Sequence, residues 1–217
     1  MSAVAYIKSS HEMREVPDES VQLVVTTPPE NIICRPIMER ILSEVRRILK
    51  LGGFFVFNVG VPASKSCFEV PISLHPYTCA CKIMGLTGFK FVWHAIGYFL
   101  PKGVGIYPPE YTLNKRPYSC FESWLIFAKS DAYELRLITG DVREYPVPRQ
   151  ETNEEALEWI LQITTDKGDT VLDPFAGTGT AAKVALKMKR NAILYEIESD
   201  LVEKILKKIP DIKIVKP

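Results

Sequence analysis

No stretch of the 217-residue chain approaches the roughly 18 uninterrupted apolar residues that a membrane helix requires. Met1 to Ser10 carries neither the basic start nor the apolar run of a secretory signal. These two absences lead to the expectation of a cytoplasmic protein with no membrane partner. Cysteine is sparse as well. Cys34, Cys67, Cys79, Cys81 and Cys120 form an odd set without the density of a disulfide scaffold. His75, Cys79 and Cys81 lie close together, yet Cys-x-Cys with a lone histidine is not a zinc spacing and no second half-site follows. Reduced, mostly buried thiols and no metal are expected. No repeat or low-complexity tract interrupts the chain, and charge of one sign is not in excess: the formal net charge is +1.

What is present is an ordinary globular composition, 47% hydrophobic and 24% charged, at a length suited to a single domain spanning 1–217. The small net charge conceals an uneven distribution. Acid dominates residues 1–30 and 131–170, whereas residues 31–130 are basic and rich in aromatics. A basic, aromatic middle suits nucleic acid, through phosphate contacts and base stacking. The same aromatics (Phe89, Phe91, Trp93, Phe99, Trp124, Phe127) also suit strand packing, and most are expected in the core. Lys102, Lys115 and Arg116 are candidate phosphate contacts, with solvated surface charge the alternative.

Patterning gives the elements. Val21 to Val25 reads as a buried strand stopped by Thr26-Thr27-Pro28-Pro29. A helix follows from about Pro36 to Leu51, with Ile37, Ile41, Val45, Ile48 and Leu49 on one face and Arg40, Arg46, Arg47 and Lys50 outward. Gly52-Gly53 is expected to end it before a strand from Phe54 to Val59. Leu74 to Met84 reads as a helix, Lys90 to Phe99 and Glu122 to Ala128 as strands, and Pro101 to Ser119 and Asp141 to Gln150 as loop and linker. Thr152 with Glu155 forms a capping box for a helix burying Ala156, Leu157, Ile160, Leu161 and Ile163. Then come a strand Thr170 to Leu172, a helix Gly179 to Lys189, a strand Asn191 to Tyr195, a helix opened by Ser199 and a short strand Ile212 to Val215. This alternation predicts an α/β fold, a mostly parallel sheet with helices on both faces. The catalytic half would be 1–130 and the cofactor half 150–217.

Gly177-Thr178-Gly179 lies between a strand and a helix, where glycine lets the backbone approach a ligand. Glu196 closes the next strand about 20 residues on, the spacing at which an acid bonds ribose hydroxyls in nucleotide-binding folds. The turn lacks the third glycine of the dinucleotide fingerprint and the Lys-Ser or Lys-Thr pair of a phosphate cradle. S-adenosylmethionine, which has an adenosine but no phosphate, fits better than NAD or ATP.

The string Asp173-Pro174-Phe175-Ala176-Gly177-Thr178-Gly179-Thr180 resembles the cofactor motif of the amino-methylating (N4-cytosine/N6-adenine) DNA methyltransferases, which usually have Ser at the Thr178 position. Gly168 to Leu172, Lys189-Arg190-Asn191, Pro17 to Val25 and Arg47 to Gly53 also resemble the family. The resemblance implies a Rossmann-like methyltransferase fold. It implies that Asp173, Pro174, Phe175, Ala176, Gly177, Thr178 and Gly179 line the S-adenosylmethionine pocket, with Glu196 on the ribose and Thr152 and Asn153 toward the methionine end. The family's usual Lys-Pro before that strand is absent here. It further implies that Thr27-Pro28-Pro29-Glu30 is the catalytic turn. The family form is an acid or Ser, then Pro-Pro, then an aromatic, and Thr27 stands nearest the Ser form, which points to cytosine N4. Glu30 departs from the pattern, because it replaces the aromatic that stacks on the extruded base. Catalytic turn first and cofactor loop last is the permuted order of one class of these enzymes.

An exocyclic amino group is a poor nucleophile because its lone pair is delocalised into the ring, so catalysis needs acceptors aimed at its hydrogens. Two consecutive prolines fix φ and remove two donors, which leaves a rigid turn able to present a carbonyl and the Thr27 hydroxyl. The possible insertions, Pro101 to Ser119 and Asp131 to Gln150, span only about 20 residues each, little for reading a duplex in the major groove. Size, Thr27 and Glu30 together resemble small archaeal relatives that methylate cytosine N4 in ribosomal RNA, so a structured RNA is expected ahead of DNA. Duplex DNA as target, and an inactive nucleic-acid-binding module, remain open alternatives.

Overall fold

The structure, a computed structural model, describes residues 1–29, 36–60, 76–98, 121–137, 139–144 and 154–216. Among these lie strands β1 (Ala3–Tyr6), β2 (Val21–Thr26), β3 (Leu49–Gly60), β4 (Lys90–Tyr98), β5 (Phe121–Ala128), β6 (Val142–Glu144), β7 (Thr170–Asp173), β8 (Asn191–Tyr195) and β9 (Lys213–Val215). The helices are α1 (Pro36–Ile48), α2 (Pro76–Thr87), α3 (Glu154–Thr164), α4 (Thr180–Lys187) and α5 (Ser199–Lys208). The strands form one 9-stranded sheet in the order β6-β4-β5-β3-β2-β7-β8-β1-β9. Only β5 runs against its neighbours; every other pair is parallel. This is the expected α/β architecture, a mostly parallel sheet of Rossmann-like type with helices on both faces.

Alternation along the strands divides the interior into two layers. Leu23, Val25, Phe54, Val56, Trp124 and Ile126 face α3 and α4, where they meet Trp159, Ile160 and Val184. Val24, Phe55, Phe57, Leu125 and Phe127 face α1, where they meet Ile41, Leu42 and Val45. The chain therefore leaves β2 for one face of the sheet and leaves β7 for the other. Successive right-handed crossovers that run in opposite directions from two adjacent strands require this. The β2–β7 pair is thus a topological switch point, where open α/β sheets leave a crevice beyond the strand ends.

Several boundaries differ from the sequence reading. Helix α1 ends at Ile48, not Leu51, and Gly52-Gly53 lie inside β3. The register between β2 and β3 jumps there, Val21 pairing with Leu49 and Leu23 with Phe54. The glycines thus form a bulge rather than a helix stop; a Cβ on Gly52 would sit 2.8 Å from the Ala132 carbonyl oxygen. Ile37 is exposed, and Met38 and Leu42 take its place on the buried face. Strand β1, apolar throughout but only four residues long, was not read from the sequence. Edge strand β6 stands where a linker was expected, held by backbone pairing to β4 with all three side chains exposed. Trp124, Phe127 and Phe89 are core residues as expected, whereas Phe91 is 37% exposed. Phe99 and the remainder of the expected loop and linker, residues 101–119 and 145–150, lie outside the described residues.

Arg47, expected to face solvent, instead clamps the segment between β1 and β2 onto α1. Its guanidinium donates to the Met13 carbonyl at 2.9 Å, the Val16 carbonyl at 3.0 Å, both Glu44 oxygens at 2.9 Å and the Asp18 carboxylate. Glu44 in turn accepts from the Met13 N–H at 2.6 Å, and the Arg47 hydrogen bond holds its carboxyl below the usual range. Met13 and Val16 are buried beneath this clamp. Replacing Arg47→Met keeps the aliphatic stem and strands two carbonyls, so it should cost about 2 kcal/mol of folding stability. Chemical denaturation should show this as a lower midpoint with an unchanged slope.

Candidate active site

The two singled-out strings meet. Leu23 pairs with Val171 and Val24 with Leu172, so β2 and β7 run side by side and parallel. Thr27-Pro28-Pro29 and the glycine turn therefore leave the sheet at the same edge from adjacent strands. Beyond β2, Thr27 and Pro29 are exposed and Pro28 is buried. The prolines end the ladder because neither donates an N–H. Thr27 stands one residue past the strand, accessible at the mouth of the crevice.

Across the crevice, Asp173 closes β7 and is 7% exposed. Its carboxylate accepts the Phe175 N–H at 3.0 Å, which tightens the turn. Burial pushes its pKa up to about 7, opposed by the Phe175 and Thr26 interactions and reinforced by the nearby Glu196 charge. The Thr26 hydroxyl lies close to this carboxyl but makes no well-directed hydrogen bond.

The glycine turn is left-handed where it must be. Gly177 has φ 54° and Gly179 φ 79°, values that favour glycine. A Cβ on Gly179 would also sit 3.1 Å from Ile205 Cγ1 on α5, so glycine serves close packing as well. Gly179 is the N-cap of α4, and its N–H returns to the Ala176 carbonyl at 2.8 Å. Thr178 and Thr180 hydroxyls lie 3.3 Å apart, and the Lys208 ammonium donates to both at 2.8 and 3.1 Å.

Glu196, at the end of β8, is 8% exposed and is tied to the turn rather than left in solvent. One oxygen accepts the Gly177 N–H at 2.8 Å; the other accepts the Ile197 and Glu198 N–H groups at 2.7 and 2.9 Å. This orients the carboxylate and leaves lone pairs for hydroxyl donors. Asp173, Pro174, Phe175, Ala176, Gly177, Thr178, Gly179 and Glu196 are thus brought together. Glu30, Lys102, Lys115, Arg116, Thr152 and Asn153 lie outside the described residues.

The sequence reading overlooked a polar cluster on the other side of Thr27. Asn58, near the end of β3, is 3% exposed and donates its Nδ2–H to Glu122 Oε2 at 3.1 Å. Trp124 Nε1–H donates to the other Glu122 oxygen at 3.0 Å. Burial raises the Glu122 pKa, partly offset by these two donors. The signal for this cluster was an asparagine inside the apolar run Phe54 to Val59. Among the described residues, no group of three or more His, Cys, Asp or Glu side chains is placed to hold a metal ion. No described helix is long and apolar enough to cross a membrane.

The comparisons agree with this geometry. Residues 149–208 match the family model described as DNA methylase. The type II methyltransferase M.BglII of Bacillus subtilis is 27% identical over 87% of the chain and 63% of its own length, so the chain spans less than two thirds of that relative. The fold matches Thermus thermophilus TTHA0409, described as a candidate DNA modification methylase and solved with S-adenosyl-L-methionine. That match has a TM-score of 0.74 and 22% identity, and covers 99% of this chain and 97% of the other. It also matches the PvuII DNA methyltransferase, cytosine-N4-specific, with a TM-score of 0.72 and 17% identity over 99% and 95%. In motif, sequence and fold, the chain is similar to the amino-methylating (N4-cytosine/N6-adenine) DNA methyltransferases.

Proposed function

We propose that this chain is an S-adenosylmethionine-dependent methyltransferase that modifies an exocyclic amino group of a base in DNA, cytosine N4 ahead of adenine N6. One observation carries the reading: the Thr27-Pro28-Pro29 turn and the Gly177–Gly179 turn leave adjacent parallel strands at one edge of the sheet.

The residues present fit the cofactor. S-adenosylmethionine supplies an electrophilic methyl group on a sulfonium and carries an ammonium besides. The buried Asp173 carboxylate complements that positive charge, and the oriented Glu196 carboxylate suits two ribose hydroxyls. Left-handed Gly177 and Gly179 let the backbone lie against the ligand without a Cβ between. Thr152 and Asn153, which precede Glu154 in the sequence, are proposed for the methionine end.

On the target side, Thr27 and the carbonyls of the rigid proline turn accept hydrogen bonds from the amino hydrogens. These acceptors draw the nitrogen toward tetrahedral geometry and localise its lone pair. No strong base is needed at Thr27, because the proton is acidic once the nitrogen carries a fourth substituent and can pass to solvent. Glu30 follows the turn where a stacking aromatic is usual, and we assign it to hydrogen bonding rather than stacking. Lys102, Lys115 and Arg116 are proposed to meet phosphates.

Small size had argued for RNA. TTHA0409 has nearly the same extent and is described as a candidate DNA modification methylase, so size does not separate the two targets. The family model described as DNA methylase and the PvuII DNA methyltransferase also favour DNA, and the PvuII enzyme and Thr27 favour cytosine N4. Incubating the protein with labelled cofactor and either unmethylated genomic DNA or ribosomal subunits tests this directly. Label in DNA, released by digestion as N4-methylcytosine, is expected. Label only in RNA overturns the DNA assignment, and N6-methyladenine overturns the choice of cytosine. Absence of both label and calorimetric cofactor binding would leave an inactive binding module.

Replacing Thr27→Ala should lower turnover by roughly 10²-fold, the scale for losing one preorganised hydrogen-bonding group, and leave the cofactor dissociation constant within about twofold. An equal loss in both would make Thr27 structural.

Asp173 also predicts a pH dependence. Its pKa is raised in the folded protein from 3.8 to about 7, so the folded form holds the proton more tightly than the unfolded chain. Its contribution to stability is therefore complete below 3.8 and is lost as pH rises through about 7. A cationic ligand favours the carboxylate, so binding near neutrality expels a proton. Affinity should rise across about pH 6 to 8 and then level off, and Asp173→Asn should abolish the slope. Calorimetry in buffers of different ionisation enthalpy measures the released proton.

A further inference from the structure

The buried side-chain oxygens without a well-directed hydrogen bond among the described residues are Thr26 Oγ1, Asn58 Oδ1 and Ser123 Oγ. They do not scatter through the core. Thr26 pairs in register with Phe57, Asn58 with Trp124 and Val59 with Ser123. All three therefore sit on the contiguous strands β2, β3 and β5, at the one edge where the catalytic turn emerges. An unsatisfied buried acceptor costs about 1–3 kcal/mol, and each such group in a native fold calls for a reason.

Asn58 is the most constrained of the three. Trp124 Nε1 can only donate, so it commits Glu122 Oε1 to accepting. Glu122 Oε2 then accepts Asn58 Nδ2–H, which fixes the amide with its nitrogen toward Glu122 and its oxygen away. By register Asn58 lies opposite the residue after Thr26, which is Thr27. Strand alternation carries Asn58 on the face of the sheet that holds Phe54 and Val56, together with Asp173 beyond Val171. An oriented, unpartnered carbonyl thus flanks the catalytic turn on the side away from the cofactor loop.

Building on the methyltransferase reading above, we propose that Asn58 Oδ1 accepts a hydrogen bond from the exocyclic amino group of the extruded base, as a second acceptor beside the proline turn. Asn58 is then a catalytic residue, and Glu122 is a positioning residue that acts through it. An amino group has two hydrogens; acceptors on both sides hold it out of the ring plane, whereas acceptors grouped on the turn side alone leave it free to stay conjugated. Asn58 takes no proton, so the step is one of orientation only. The same acceptor discriminates against a base with a carbonyl at this position, because two oxygens would then face each other.

The chemistry suggests a reciprocal test. Glu122→Gln brings an N–H₂ toward the Asn58 amide. Asn58 then turns its oxygen to that donor and removes it from the site. Asn58→Leu removes the acceptor directly. Combining Asn58→Asp with Glu122→Gln exchanges donor and acceptor within the pair and leaves one carboxylate oxygen of residue 58 free. The assay is single-turnover label incorporation into unmethylated genomic DNA, with the affinity for S-adenosylhomocysteine and the melting temperature measured in parallel. Each single variant is expected to lose roughly 10²-fold in rate with cofactor-product affinity within twofold, and the double variant to regain at least tenfold over Glu122→Gln. Rates within threefold of wild type in both single variants overturn the proposal. So do rates that fall only in step with melting temperature, or a double variant no faster than Glu122→Gln. A wild-type protein that transfers no label fails the methyltransferase reading itself, a result distinct from all of these.

Discussion

The parallel pairing of β2 with β7 is the constraint on which the rest of the structure depends. Through Leu23 with Val171 and Val24 with Leu172, it joins chain segments about 150 residues apart and sets their exits level. The helices that follow go to opposite faces, so neither helix covers the gap between the two exits. Chemistry that needs two components in line has its place there because of strand topology, before any side chain is considered. Loops then supply the specifics: prolines that forgo donors on one side, and glycines that admit a backbone on the other.

Around that gap stand three acidic side chains, Asp173 and Glu196 buried and Glu122 half-buried, whereas Arg190 is the buried charge elsewhere among the described residues. Asp173, Glu196 and the Glu122–Asn58 pair are all held by N–H donors, from backbone amides in the first two cases and from side chains in the third. Such groups cost desolvation, and their hydrogen bonds recover only part of it. The apolar layers beneath are correspondingly rich: Trp124, Trp159, Phe54, Phe55, Phe57 and Phe127 are all fully buried. Large aromatic area below and polar tension above is the division expected of a scaffold that carries a site at one rim.

Much of this was legible in the sequence, for identifiable reasons. Strand β8 matches its expected span, Asn191 to Tyr195, because β-branched and apolar residues are bounded by a charged turn and a helix opener. The amphipathic stripe of α3 is buried as read, since its period leaves one solution. The start of β3 was not legible: Gly52-Gly53 is a helix stop by local rules, and only long-range pairing with β2 turns it into a bulge. Strand β6 was hidden because its side chains are all exposed and its stability comes from backbone pairing with β4. In the site, the two strings that announce themselves by proline and glycine were found. Asn58 and Glu122 were not, because each is a single polar residue whose meaning depends on a partner 64 positions away.

The first strand has a wider implication. It lies between β8 and β9, with Ala5 beside Leu194 on one side and Ile214 on the other. The sheet around the cofactor turn is therefore completed by a strand far from it in sequence, and the first and last described strands are direct neighbours. Linking those neighbours and opening the chain elsewhere would reverse the order of the two functional loops while preserving every ladder in the sheet. Motif order is thus an accident of where the backbone is cut, and spatial adjacency is what the fold preserves.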